Sequence, residues 1–170
     1  GDNFGNTLAF DGRVALVGAP GGRGAPGAAY AFRYGSGGLV ETGKLQIDGS
    51  SGLGTSLGLD SGMALVGAPA TGQWVGAVFV FEYDTETAAW QGQGRLGPFD
   101  AQPNGRFGSS IAFDGRTTWI GAPGSGGTGA FYLFERDGSG SWIGATKLTS
   151  NTLGSGAGFG GAVVLAGEVA

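Results

Sequence analysis

Four loop residues of this 170-residue chain carry side chains that could bind a ligand. Trp74 is the only tryptophan outside a predicted strand, and an exposed indole ring could stack on a sugar or anchor a partner protein. Asp100, Gln102 and Asn104 lie together in another loop and offer oxygen atoms to a cation or a sugar. Loop structure alone also accounts for Asp and Asn, since both tolerate positive φ and bond their own backbone. For Trp74, packing against a neighbouring element is the alternative.

Catalysis has few residues to draw on. The chain has no cysteine and no histidine, which removes thiolate nucleophiles, disulfides, Cys/His zinc sites and imidazole acid–base chemistry. No two glutamates are spaced to place paired carboxylates on one rim; they are Glu41, Glu82, Glu86, Glu135 and Glu168. A Ser–Lys pair is the one way left to activate a serine, but Lys44 and Lys147 recur at the same place in a repeat and are more simply structural. The sequence therefore predicts a protein that is not an enzyme.

Composition bounds both the fold class and the partners. The 40 glycines and 6 prolines would suit a disordered chain, yet 41% of the residues are hydrophobic and only 13% are charged, so the glycines must be architectural. A net charge of −4 offers no positive field to a phosphate backbone, and we expect no nucleic-acid partner. No apolar run approaches the roughly 20 residues of a membrane helix, so we expect no membrane span.

An internal repeat organises the chain. The segment FGNTLAFDGRVALVGAP at 4–20 returns as LGTSLGLDSGMALVGAP at 53–69 and as FGSSIAFDGRTTWIGAP at 107–123, and a further unit begins at Phe159. The starts are 49, 54 and 52 residues apart, a period typical of propeller blades. The repeat units are predicted at about 1–49, 50–103 and 104–155, with an incomplete unit at 156–170.

Each unit reads as four strands. The first runs from the FG step to an Asp-Gly or Asp-Ser-Gly turn, and the second is the VALVGAP-type segment. In the third strand of the second unit, Ala77, Phe79 and Phe81 alternate with Val78 and Val80, so both faces are apolar. The fourth strand ends at a basic residue followed by leucine; the tryptophans placed in strands, predicted to be core, are Trp90, Trp119 and Trp142.

A sheet that is apolar on both faces must be covered twice, and blades stacked radially in a ring do this with copies of themselves. The sequence therefore predicts an all-β fold: a β-propeller of four-stranded antiparallel blades, with about three and a quarter blades present as a partial ring in a single domain, 1–170. A four-stranded sandwich is the alternative, although sandwiches rarely repeat their sequence at a fixed period.

The paired FG and GAP motifs resemble the FG-GAP repeat, the blade unit of the integrin α-subunit propeller and of many bacterial secreted and surface proteins. The bacterial form is the more similar, and the resemblance extends over the whole chain. It implies a ring of about seven blades, a secreted or cell-surface location, a bacterial source, and a binding or scaffolding role without catalysis.

The chain departs from the integrin form at the turn between the first two strands. Integrin blades carry calcium loops of the type D-x-D-x-D-G there, whereas Asp11, Asp60 and Asp114 supply one carboxylate each. Calcium takes roughly six to eight oxygen ligands. We therefore expect no metal in these turns and no cofactor, and calcium in the rim loops stays open.

Three and a quarter blades cannot close a ring of the usual size. We therefore expect an uncovered apolar blade face at each end, covered by further blades of a longer chain, by a second copy or by a different subunit. The resulting prediction is a non-catalytic extracellular interaction or scaffold module, for adhesion or surface assembly. Two alternatives remain: a carbohydrate-binding propeller that uses Trp74, and an accessory propeller domain of a larger secreted enzyme.

Overall fold

Three four-stranded antiparallel sheets make up the computed structural model, which describes residues 1–22, 26–35 and 37–165. In each sheet the strands pair in chain order, so each sheet is one blade. The first blade contains β1 (Thr7–Phe10), β2 (Val14–Ala19), β3 (Ala28–Gly35) and β4 (Gly38–Leu45). The second contains β5 (Leu57–Asp60), β6 (Met63–Ala68), β7 (Ala77–Asp84) and β8 (Ala89–Leu96). The third contains β9 (Ser110–Phe113), β10 (Thr117–Ala122), β11 (Ala130–Arg136) and β12 (Trp142–Leu148).

This architecture confirms the predicted partial β-propeller of four-stranded blades. The sheets do not close into a ring, and the first strands lie next to one another, β1 beside β5 and β5 beside β9. A short helical segment, α1 (Thr71–Trp74), and a 3-10 turn (Ser125–Gly127) connect second to third strands. No helix in the described ranges is long and apolar enough to cross a bilayer. The end of the fourth unit, with Glu168, lies outside the described residues.

Each first strand begins three or four residues after the first residue of its FG step. In the first unit β1 starts at Thr7, because the backbone N–H groups of Gly5 and Asn6 both donate to the carbonyl oxygen of Gly18, at 3.0 and 3.2 Å. Gly5 adopts φ +89°, a left-handed conformation that favours glycine. The FG step is therefore a turn that leads into the blade, and the prediction that the strand begins there was wrong.

The aspartates at the blade turns bond the backbone. Asp11 Oδ1 accepts from the N–H groups of Arg13 and Val14, both at 2.8 Å. Asp114 Oδ1 accepts from the N–H groups of Arg116 and Thr117, at 2.9 and 2.6 Å. These carboxylates hold the connection between the first and second strands, as loop aspartates do.

The middle blade is buried on both faces, as predicted. Phe79 and Phe81 of β7 pack in one core with the first blade, and Val78 and Val80 pack in a second core with the third blade. Strand alternation sends the two sets of side chains to opposite faces. Glu82 is the first exposed residue of the strand.

An FG-to-GA contact joins each blade to the next. Leu53, Phe107 and Phe159 each form a parallel bridge with a glycine of the preceding blade, and Leu53 and Phe107 are completely buried. Gly76, the partner of Phe107, has φ +90°, and a Cβ at this position would overlap the carbonyl oxygen of Phe107. The GA step is thus a place where two backbones approach closely and only glycine fits.

A hydroxyl near the start of each blade adds a second inter-blade contact. Thr7, Ser56 and Ser110 donate to backbone carbonyl oxygens of the following unit, at 3.0, 2.8 and 2.9 Å. The acceptors of the two buried serines are Gly108 and Gly160. Each hydroxyl satisfies the carbonyl oxygen of the glycine in an FG step. The repeat therefore joins its blades by a hydrogen bond as well as by the buried apolar residue of the FG step.

The tryptophans in strands are half-buried. Trp90 packs against the core shared by the first two blades, and Trp142 packs against the core of the second and third. These two positions confirm the prediction of core packing. Trp119 is also half-buried, next to Ile120, whose side chain lies in the core on the opposite face of β10.

Apolar side chains are exposed at both ends of the blade row. Phe4, Leu8 and Phe10 of the first blade are 54%, 69% and 63% exposed, although Leu53, the counterpart of Phe4, is fully buried. At the other end Leu148 is 45% exposed, whereas its counterparts in the earlier blades are buried. The predicted uncovered face at each end is therefore present in the structure.

Candidate functional site

A cleft of about 700 Å³ opens beside the GAP ends of the first two blades. Its walls come from all three blades: GAP prolines, hydroxyl side chains, Trp74 and Arg106. The prolines and hydroxyl residues are Pro20, Pro69, Ser51, Thr55 and Ser109. A cleft with an aromatic ring and a few converging polar groups is the usual form of a small-ligand site.

Trp74 and Arg106 form the polar–aromatic wall of this cleft. The guanidinium carbon of Arg106 lies 5.3 Å from the centre of the Trp74 ring, within the range of a cation–π contact. The ring is 48% exposed, and the Arg106 N–H donates to the Trp74 carbonyl oxygen at 2.8 Å. Trp74 thus contacts a neighbouring loop while about half of the residue stays exposed to solvent.

The backbone around this pair is in an uncommon conformation. Gln73, Trp74, Asn104 and Arg106 have φ of 57°, 63°, 61° and 57°. For Arg106 this conformation belongs to the repeat, since Asn3, which directly precedes the first FG step, also has a φ of 56°. The N–H of Asn104 donates to the carbonyl of Gln73 at 3.4 Å, so the two loops support each other.

The predicted oxygen cluster does not form a single site. Gln102 and Asn104 are exposed beside the Trp74 loop, and their backbone groups hold the turn. Asp100 instead bonds the third blade: its carboxylate accepts from Tyr132 Oη and from Lys147 Nζ, each at 2.6 Å. Within the described ranges no three acidic side chains come together to hold a metal ion.

Asp100, Lys147, Tyr132 and Ser125 form a network between the second and third blades. Lys147 Nζ also donates to Ser125 Oγ at 3.1 Å, and this hydroxyl lies 3.2 Å from Tyr132 Oη. Ser125 is only 3% exposed. The Ser–Lys pair that the sequence left open is therefore real, but it is enclosed by a carboxylate and a phenol.

The pKa shifts in this network favour a charged pair. Burial acts to raise the pKa of Asp100, but the hydrogen bonds from Lys147 and Tyr132 outweigh it and lower the pKa. Burial acts to lower the pKa of Lys147, yet its bonds to Asp100 and Tyr132 raise it. Burial, helped by the bond to Asp100, raises the pKa of Tyr132. Lys147 thus stays protonated and is unsuited to deprotonate Ser125.

Sequence reasoning missed Arg106, Ser125 and the partner of Asp100. Arg106 directly precedes the third FG step, where the first unit has Asn3 and the second has Gly52, and this break in the repeat was the available signal. Ser125 stands in a glycine-rich loop and carries no signal of its own. The acidic residue after Phe99 and the repeated Lys-Leu pair were both visible, but their contact joins residues 47 positions apart.

The comparison with known proteins agrees with the repeat in the structure. Residues 90–134 match the family model of the FG-GAP repeat. The matched stretch covers most of β8, all of β9 and β10 and most of β11, so it spans the junction between two blades. No curated protein matches the chain.

Proposed function

We propose that this chain, whose residues 90–134 match the family model of the FG-GAP repeat, is a non-catalytic interaction or scaffold module that acts outside the cell, in adhesion or surface assembly. One observation carries the proposal: Phe4, Leu8 and Phe10 are exposed on the first blade, whereas β7 in the middle blade is apolar and buried on both faces. Blades of the same type thus have both faces covered in the middle of the row and one apolar face exposed at each end.

The energetics support joining at these faces. Covering a large apolar side chain contributes roughly 1.5–3 kcal/mol, so several such residues together favour association strongly. Contiguous exposed apolar surface marks interaction sites in soluble proteins. The bonds between blades repeat from unit to unit, so a further blade can be added with the same geometry.

Two observations support the remaining parts of the proposal. The protonated state of Lys147 and its bond to Asp100 leave Ser125 without a base, in keeping with a non-catalytic role. FG-GAP repeats are typically extracellular, which favours secretion or display at the cell surface. The resemblance of the paired FG and GAP motifs to the bacterial form favours a bacterial source.

Sedimentation velocity of the 170-residue chain tests the proposal. We expect self-association that rises with concentration and weakens in Leu8→Asp, because a charge on the open face opposes apolar contact. Gln91→Asp is the matched control, since Gln91 is an exposed polar residue of β8. A folded chain that stays monomeric at every concentration would rule the proposal out.

A second function rests on the cleft beside Trp74: binding of carbohydrate. The half-exposed indole ring, held against Arg106 and surrounded by hydroxyl side chains, offers both stacking and hydrogen bonding to a sugar. A glycan array should show binding that Trp74→Ala abolishes. Tyr34→Ala is the control, because Tyr34 is 82% exposed and is not among the residues that line the cleft. Equal binding by both variants would reject the cleft as a sugar site.

A further inference from the structure

The contact between the second and third blades has a polar part, the bonds of the Asp100 carboxylate to Tyr132 and Lys147, which is called the lock below. Asp100 stands in the loop that leaves β8, and its carboxylate bonds Tyr132 and Lys147 of the third blade. The preceding residue, Phe99, places its ring 5.2 Å from the ring of Tyr132. An apolar residue followed by an acid thus reaches from one blade to a Tyr–Lys pair on the next.

The first blade carries the same Tyr–Lys pair. Tyr30 and Lys44 are directly opposite each other on β3 and β4, as Tyr132 and Lys147 are on β11 and β12. The ammonium nitrogen lies 5.5 Å from the ring centre in the first blade and 5.2 Å in the third. Lys44 is exposed, and within residues 1–22, 26–35 and 37–165 the structure records no carboxylate paired with it. The Tyr–Lys part of the lock is therefore present on the open face of the first blade, and in the described ranges no carboxylate forms an ion pair with it.

The contact between the first and second blades shows what the tyrosine adds. There the receiving residues are Phe79 and Arg95, which stand opposite each other on β7 and β8. Asp48 lies in the loop after the first blade, as Asp100 lies in the loop after the second. It forms no ion pair with Arg95 in the described structure. Phe79 has no hydroxyl group to bond a carboxylate. The first blade therefore carries the same Tyr–Lys pair that bonds the carboxylate of Asp100 in the third blade.

We propose that the open face of the first blade binds a further four-stranded blade whose exit loop carries an apolar residue followed by an acidic residue. The acid bonds Tyr30 Oη and Lys44 Nζ, and the apolar side chain covers the rings of Tyr30 and Phe32. This inference rests on the proposed function and adds the chemistry of the partner. A second copy of this chain can cover the apolar residues of this face but does not complete the lock, because its third blade is followed by Ser150 and Asn151, which supply no carboxylate and no large apolar side chain.

The chain supplies both the partner blade and the reporter for a test. A copy of residues 50–103 placed before Gly1 keeps the spacing, since seven positions then separate its aspartate from Phe4, as seven separate Asp100 from Phe107. Lys44 and Lys147 are the only lysines, and residues 50–103 contain none. The acylation rate of each lysine, followed by mass spectrometry, therefore reports on the lock, with Lys147 as the internal reference.

We expect the extended chain to melt at a higher temperature and to acylate Lys44 roughly tenfold more slowly than the 170-residue chain, as a charge-assisted hydrogen bond to the amine requires. With Asp100→Asn made in the added copy only, the blade should still dock while Lys44 regains its fast rate. Tyr30→Phe, which imitates Phe79, should weaken the protection in the same direction.

The outcomes separate the two proposals. If the added blade docks, by melting temperature and by hydrogen-exchange protection of β1, but Lys44 reacts equally fast with Asp or Asn in the copy, the lock is wrong and the interaction surface stands. If the blade does not dock at all, both the proposed function and the lock are wrong. Protection of Lys44 in the 170-residue chain that grows with concentration would show that a second copy supplies the acid and would overturn the occupant named above.

Discussion

The phenol of Tyr132 donates a 2.6 Å hydrogen bond to Asp100 Oδ1, although the two residues belong to different blades. Lys147 bonds the other carboxylate oxygen at the same distance, so one aspartate holds two side chains of the neighbouring sheet. This is the one ion pair that the structure records in the described part of the chain. The second and third blades are thus joined by a charged contact in addition to their apolar faces.

Asp100→Asn tests the strength of this contact. The amide cannot pair with the ammonium group, and we expect a loss of about 1–3 kcal/mol in the free energy of unfolding. The 43% exposure of the aspartate side chain places the result toward the lower end, because solvent screens the pair. Urea denaturation at neutral pH measures the loss. Unchanged stability would show that the pair contributes nothing.

The same pair predicts how stability depends on pH. The pKa of Asp100 is lowered in the folded chain, so its contribution is present above the ordinary value of 3.8 and is lost as the pH falls through the folded value. The pKa of Lys147 is raised, so its contribution is present below 10.5 and is lost as the pH rises through the folded value. Denaturation curves of wild type and Asp100→Asn should therefore converge in acid. A constant difference down to a pH of about 2 would contradict the assignment.

Ser56→Ala tests the repeated hydroxyl bond between blades. Removing the Ser56 hydroxyl leaves the carbonyl oxygen of Gly108 without its buried donor, and we expect a cost of about 1–3 kcal/mol. Thr85→Ala is the control, because Thr85 is exposed in a turn. Melting temperatures of the two variants give the comparison. Equal effects would mean that the inter-blade bond is without energetic value.

Gly76→Ala should destabilise the chain by more than about 1 kcal/mol, since the methyl group meets a backbone oxygen and φ is positive. Gly92→Ala is the matched control, because a Cβ at Gly92 meets nothing within 4 Å. Urea denaturation of both variants measures the difference. A tolerated Gly76→Ala would show that the backbones can separate at the blade junction.

Phe4→Ala and Phe107→Ala compare the same repeat position at an open and at a covered face. Phe107 is fully buried, and its truncation should cost about 3–5 kcal/mol. Phe4 is 54% exposed, touching Tyr30 and Phe32, and should cost much less in the 170-residue chain. Denaturation of each variant at low protein concentration measures the two costs. Similar losses would mean that the first face is already covered in solution.

The blade design was predictable from the sequence because it depends on local alternation and on a fixed period. Residues 77–83 alternate with both sets apolar, so the strand and its two buried faces follow from side-chain geometry alone. For Trp74 the sequence placed the residue in a loop but left open whether it is exposed or packed against a neighbouring element, and the structure leaves it 48% exposed.

Tertiary structure alone decided which loop residue meets which blade. Asp100 bonds a lysine 47 positions away, Ser56 bonds a carbonyl 52 positions away, and Arg106 stacks on Trp74. These contacts depend on the angle and spacing between sheets, which arise from packing of whole faces rather than from any local pattern. The sequence by itself therefore determined the blades, and the tertiary structure decided how they are joined.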